Sequence, residues 1–285
     1  MIGLDAIARP SGVFCMVAMD QRESLRSMLR DRGKPDGDQA VVDFKLAVAR
    51  ELGPYGSGFL IEQGPAFDEI VRGGILPKAC GLLVAADALD QERGGMVEDT
   101  SLDPAVDPYA AASAGAAGLK LLVIWRDDAE RPRRLVLAKT FVETASEAGL
   151  LSVLEGIVRG PEGYDRDAAI VEAAEELASV GPSLYKVEVP AHGKGDEAEL
   201  SARCAAIDNV VDVPWVVLSN GVAPEDFPAA VAAACAAGAS GFLAGRALWT
   251  SVLDADDPAP LLRERSVPRL QELVELVDAK GRPWR

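Results

Sequence analysis

Eight short apolar runs alternate with segments of helical character along this chain, and that alternation limits its fold more than any other feature. The runs are Val13 to Asp20, Gly58 to Gln63, Gly81 to Asp87, Leu119 to Trp125, Leu151 to Val158, Leu184 to Pro190, Trp215 to Ser219 and Gly241 to Gly245. Several are nearly continuous in apolar residues, as parallel strands covered on both faces should be. Between them, Asp167 to Val180 has apolar residues at helical spacing and is stopped by Gly181-Pro182. Arg134 to Ala148 ends at Gly149, and the alanine-rich Glu225 to Ala237 ends at Gly238. Strict alternation implies parallel strands and right-handed crossovers. Eight such units predict an α/β fold, a closed (β/α)8 TIM barrel forming a single domain over residues 1–285. The alternative is an open doubly wound sheet, and no Gly-x-Gly-x-x-Gly follows the first strand to support it.

The net charge of −16 argues against a nucleic-acid binder, which needs a basic face. A small anionic substrate is compatible with it, because a few backbone N–H groups and an arginine bind an anion locally. No run of 18 apolar residues exists to span a membrane. The N-terminus lacks the basic-then-apolar layout of a signal peptide, so a cytoplasmic protein is expected. Cys15, Cys80, Cys204 and Cys235 are far apart in apolar surroundings and read as core thiols. With His192 the only histidine, a His-rich metal centre cannot be built, and no metal or other cofactor is expected.

The polar residues on the strands carry the chemistry. In Leu184-Tyr185-Lys186-Val187-Glu188-Val189-Pro190, alternation places Lys186 and Glu188 on one face and Tyr185, Val187 and Val189 on the other. Either the strand is an edge strand with a solvated lysine, or Lys186 is buried. A buried amine is pushed toward its neutral, nucleophilic form, which condenses with ketones and aldehydes. Catalytic groups of a barrel come from the carboxyl ends of several strands. There the chain has Asp20-Gln21-Arg22, Lys120, Arg126, Glu155, Lys186 with Glu188, Ser219-Asn220-Gly221, and Gly245-Arg246. These could form a structural ion-pair network. An active site is the more economical reading, with Lys186 as nucleophile and Lys120 repelling its charge. Glu155 would then move protons, and Asp20 would handle a substrate hydroxyl. Gly221, Gly245 and Arg246, in turns before likely helices after the seventh and eighth strands, suggest a phosphate site. The acidic, turn-rich stretch Gly94 to Pro108 reads either as part of the catalytic face or as a solvated loop. Gly281 to Arg285 reads as a frayed end or an oligomer contact.

At these residues the chain resembles the class I aldolases of the tagatose 1,6-bisphosphate aldolase group, most of all the sulfofructosephosphate aldolase branch. The matching blocks include Ala18 to Arg26, Asp43-Phe44-Lys45, Val84 to Asp87, Leu119 to Arg126, Leu184 to Pro190, Leu218 to Val222 and Ala237 to Ala247. The resemblance implies a (β/α)8 barrel, metal-free Schiff-base chemistry on Lys186, proton transfer by Glu155, and Lys120 and Asp20 in the site. It implies a sugar phosphate or sulfo-sugar phosphate substrate cleaved to dihydroxyacetone phosphate and an aldehyde. That aldehyde is 3-sulfolactaldehyde in one branch and glyceraldehyde 3-phosphate in the other. It also implies a homo-oligomer. Candidate substrate contacts are Gln21, Arg22, Arg159, Glu188, Ser219, Asn220, Gly221, Gly245 and Arg246, with Arg22 or Arg159 at the distal anion. Two departures concern that aldehyde side: Asn220 stands where the family has Ser or Ala, and Arg159 to Tyr164 is shorter and less basic. A non-catalytic sugar-phosphate binder on the same fold is the rival reading.

Overall fold

The apolar runs become strands because their β-branched and aromatic residues can be covered from both sides at once. In a computed structural model, which describes residues 3–285, eight of ten strands close into a parallel barrel. They are β1 (Phe14–Ala18), β2 (Gly58–Glu62), β3 (Gly81–Ala85), β6 (Gly118–Trp125), β7 (Leu151–Val158), β8 (Leu184–Val187), β9 (Trp215–Val217) and β10 (Gly241–Ala244). They neighbour one another in chain order, and β10 returns to pair with β1. At that seam Gly241 has φ +136°, and any Cβ would overlap the Phe14 carbonyl, so closure needs glycine.

The helices α1 (Glu23–Arg30), α2 (Asp38–Leu52), α3 (Pro65–Gly73), α4 (Pro108–Ser113), α5 (Arg131–Glu147), α6 (Arg166–Ala178), α7 (Glu197–Asp208), α8 (Phe227–Ala237), α9 (Arg246–Trp249), α10 (Pro258–Leu261) and α11 (Val267–Lys280) complete the alternation. Their ends carry the expected signals. Asp165 caps α6 by accepting from the Ala168 N–H, and Gly238 ends α8 in the left-handed conformation. Among the described residues no helix is long and apolar enough to cross a membrane. The four cysteines are buried and unpaired, and burial pushes the thiols of Cys80, Cys204 and Cys235 up to about 12.

Alternation along each strand divides the core in two. Outward residues such as Tyr185, Val187, Leu154 and Phe242 pack against the helices. Inward residues Phe14, Met16, Leu60, Leu83, Val153, Leu184, Val216 and Leu243 fill the lower barrel. The last residues are not frayed. Trp284 packs on this lower cluster and its backbone N–H donates to the Gly12 carbonyl at 3.0 Å, while the Arg282 guanidinium binds both oxygens of Asp208 at 2.8 and 2.9 Å. The tail therefore plugs the N-terminal end of the barrel.

The stretch after β3 is the other departure from a loop reading. It folds as an antiparallel ribbon of β4 (Asp87–Gln91) and β5 (Val97–Leu102), in register from Asp87 opposite Leu102 to Asp90 opposite Asp99. Its acidic composition hides it, because in β5 only Thr100 is fully buried.

Candidate active site

Three neighbouring strands place charged groups inside the barrel, directly above its apolar filling. Glu155 of β7 is the register partner of Lys186 on β8, and Lys120 lies two residues below Leu122, the partner of Glu155 on β6. One oxygen of Glu155, Oε2, lies 3.0 Å from the Nζ of both Lys186 and Lys120. Lys120 also reaches Asp20 Oδ2 at 2.8 Å and Asp87 Oδ2 at 3.0 Å. Asp87 in turn accepts from Arg22 at 3.1 Å. Asp20, Asp87 and Glu155 thus face Lys120, Lys186 and Arg22, a balanced set. Such balance lets so many charges persist away from water.

Burial opposes the charge of Lys120, but Asp20, Asp87 and Glu155 more than offset it and hold its ammonium well above the ordinary lysine value. Burial likewise works against ionised Asp20, and Lys120, Lys186 and Arg22 overcome it, driving that carboxyl well below the usual range. Glu155 is lowered too: burial raises it, and Lys120 and Lys186 bring it down. The resting site therefore holds ionised carboxylates next to amines. Lys120 does not confront Lys186 alone, as expected from the sequence, because a Glu155 oxygen lies between the two and three carboxylates claim the Lys120 charge.

These groups form the floor of a cleft of about 330 Å³ at the carboxyl ends of the strands. Gln21, Arg22, Arg159, Asn220 and Arg246 line it as well, so nine of the sequence-predicted residues converge there. Arg159 donates to the Val158 carbonyl at 2.9 Å, and Arg246 donates to the Asn220 side-chain oxygen. Among the described residues neither guanidinium is ion-paired, which leaves both able to take an anion. Burial draws Arg246 below its ordinary value, with Glu155, Asp20 and Glu188 pulling the other way.

Four predicted contacts do not line the cleft. The strand β8 ends at Val187, and Glu188 reaches across to the neighbouring unit instead. It accepts from the Val158 N–H at 2.8 Å, from Arg166 at 3.0 Å and from Asn220 at 3.5 Å. Glu188 thus orients Asn220 rather than facing the cleft. Ser219 is buried and accepts from the Ala247 N–H at 3.5 Å. A Cβ on Gly221 would come within 2.8 Å of His192 Nδ1, and one on Gly245 within 2.7 Å of the Ala18 carbonyl. These two glycines let the loops carrying Asn220 and Arg246 pack closely. Sequence reasoning missed Asp87, although a carboxylate directly after the apolar Leu82 to Ala86 is the same signal that found Asp20. It also missed Leu89, Gln91, Met96 and Val97 of the ribbon, which wall the cleft.

A buried lysine on a carboxylate at the mouth of a parallel barrel is the setting for Schiff-base chemistry, and the comparisons agree. The model of the DeoC/LacD family aldolases matches residues 14–251. The chain belongs to the DeoC/LacD family of aldolases. It is a class I aldolase, a carbon–carbon lyase. Relatives include the tagatose 1,6-diphosphate aldolase of Listeria monocytogenes, 26% identical over 99% of this chain and 92% of that one. Tagatose 1,6-diphosphate aldolase 2 of Enterococcus faecalis is also 26% identical, over 99% and 94%. Among solved structures, the fold matches an archaeal fructose-1,6-bisphosphate aldolase whose catalytic Lys is bound to the carbinolamine intermediate. The TM-score is 0.65 at 17% identity, covering 96% of this chain and 98% of that one. Fructose-bisphosphate aldolase of Plasmodium falciparum matches with a TM-score of 0.70 at 14% identity, over 94% and 91%.

Proposed function

We propose that this aldolase reversibly cleaves 6-deoxy-6-sulfofructose 1-phosphate into dihydroxyacetone phosphate and 3-sulfolactaldehyde. Lys186 passes a proton to Glu155 and attacks the C2 ketone. Glu155 returns a proton as water leaves, and an iminium forms. Asp20 takes the C4 hydroxyl proton, the C3–C4 bond breaks, and its electrons move into the iminium as the aldehyde departs. The enamine is then protonated at C3, and water releases dihydroxyacetone phosphate and restores the amine. Four buried, unpaired cysteines fit a reducing, cytoplasmic setting.

The observation that carries the substrate reading is the pair of unpaired guanidiniums on opposite sides of Lys186. Arg246 follows β10 on one side, and Arg159 follows β7 on the other. With Asn220, Arg246 takes the 1-phosphate, and Arg159 takes the distal anion. Arg22 is already held by Asp87, so Arg159 is the free cation at the distal end, and a sulfonate monoanion matches it charge for charge. The second reading is tagatose 1,6-bisphosphate as substrate, favoured by the relatives that carry that name.

Borohydride trapping with dihydroxyacetone phosphate, followed by peptide mass spectrometry, tests the chemistry. A reduced adduct on Lys186 is expected; an adduct on Lys120, or none while binding persists, would overturn it. Relative kcat/KM for the two ketoses tests the distal group. Preference for the sulfonate by about tenfold or more is expected, and a reversed preference moves the assignment to tagatose 1,6-bisphosphate.

A further inference from the structure

The reaction above gives no part to Asp87, yet its side chain is only 2% exposed, against 10% for Asp20 and Glu155. All its acceptors are engaged. Oδ2 takes the Lys120 ammonium and the Leu122 N–H, each at 3.0 Å. Oδ1 takes Arg22 at 3.1 Å, and the Asp87 carbonyl takes the same guanidinium at 2.7 Å. Both carboxylate oxygens are thus taken by protein donors and the side chain is almost closed off from the cleft, so its influence passes through its partners.

Those partners link two parts of the site. Asp87 opens the ribbon, pairing with Leu102 across it. The opposite strand is tied to the same barrel residue, since the Thr100 hydroxyl donates to the Leu122 carbonyl at 2.7 Å. Both strands of the ribbon are therefore anchored on Leu122, whose side chain lines the cleft and whose register partner is Glu155.

We propose that Asp87 is a positioning residue for the aldol chemistry: one carboxylate at the base of the β4–β5 ribbon sets Lys120 against Glu155 and Asp20 and seats the ribbon wall of the cleft. This rests on the assignment of Lys186 and Glu155 above. Lys120 is faced by Asp20 from the end of β1, by Asp87 from β4 and by Glu155 from β7, with Lys186 of β8 beyond Glu155 and Arg22 beyond Asp87. Removing the Asp87 charge leaves Lys120 with two carboxylates, both of which also face Lys186. The ammonium then gives up its proton at lower pH.

The test is exchange of the C3 hydrogen of dihydroxyacetone phosphate with deuterium oxide, followed by NMR in wild type, Asp87→Asn, Lys120→Gln and the double variant. Wild-type exchange, with the Lys186 adduct above, checks the underlying reading independently. Asp87→Asn is expected to slow exchange about 100-fold and to move its alkaline fall-off to lower pH. A purely structural role would lower the melting temperature and leave that fall-off in place. The double variant is charge-balanced, so it keeps the test available if Asp87→Asn does not fold, and it is expected to exchange at the rate of Lys120→Gln. A wild-type rate and fall-off in Asp87→Asn, or a double variant about tenfold slower than Lys120→Gln, would overturn the proposal.

Discussion

Lys120 and Lys45 are both shut away from solvent, at 3% and 0% exposure, yet their surroundings drive them in opposite directions. Lys45 of α2 has one carboxylate, Glu62 at the end of β2. Burial draws Lys45 below its ordinary value and pushes Glu62 above, the direction of two groups moving toward a shared neutral state. Lys120 has three carboxylates and is held firmly charged. Burial is the same in the two places, so the number of opposing charges decides the state of the amine. Lys186 contacts a single carboxylate, Glu155, which it shares with Lys120.

The largest effect is expected at Lys186. Lys186→Ala is expected to lower cleavage by about 10^5-fold or more and to abolish borohydride trapping, with the barrel still folded by circular dichroism. Near-wild-type cleavage would remove the nucleophile assignment. Lys120→Gln comes next. It removes the ammonium that three buried carboxylates share and leaves Asp20 without an ion pair, so a loss of about 3–5 kcal/mol in urea unfolding and about 10^2–10^3-fold in turnover is expected. A stable, active Lys120→Gln would mean that the three-carboxylate contact does little.

Acid sharpens the contrast. Asp20 and Glu155 have folded values depressed below the ordinary 3.8 and 4.5. Their stabilisation is present above those unfolded values and is lost as pH falls through the depressed ones. Stability should therefore drop steeply below the ordinary carboxylate range in the wild type and less steeply in Lys120→Gln, measured by denaturant titration at each pH. The smallest effect is expected at the other lysine. Replacing the pair together, Lys45→Met with Glu62→Gln, should change stability by about 1 kcal/mol or less and leave turnover intact. A large loss there would show that this pair, too, supports the site.

Much of this was legible in the chain itself. Lys120, Glu155 and Lys186 were legible as charges within apolar runs, and the order of the strands put them side by side in a closed barrel. Asp20 and Arg246 were legible as charges at the ends of apolar runs. Asp87 carried the same signal and went unread because the acidic stretch after it has no apolar alternation to mark a strand. Glu188 obeyed the alternation, but β8 stops one residue short of it, and Arg166 and the Val158 N–H claim its oxygens. Gly221 and Gly245 were legible as turn glycines and were read as a phosphate site. What they approach, His192 and the Ala18 carbonyl, was not.

The barrel follows from the chain alone, because buried parallel strands and amphipathic helices announce their periods locally. So do the amines and carboxylates that face inward, since side-chain direction follows from position along a strand. Which charges meet was fixed by folding: three carboxylates on Lys120, one shared oxygen for Lys186, an acidic ribbon as a wall of the cleft, and a C-terminal tail across the lower end of the barrel. Those outcomes depend on distances between segments far apart in the chain. Coulomb and hydrogen-bond energies fall off over a few ångströms, and no local pattern encodes such distances.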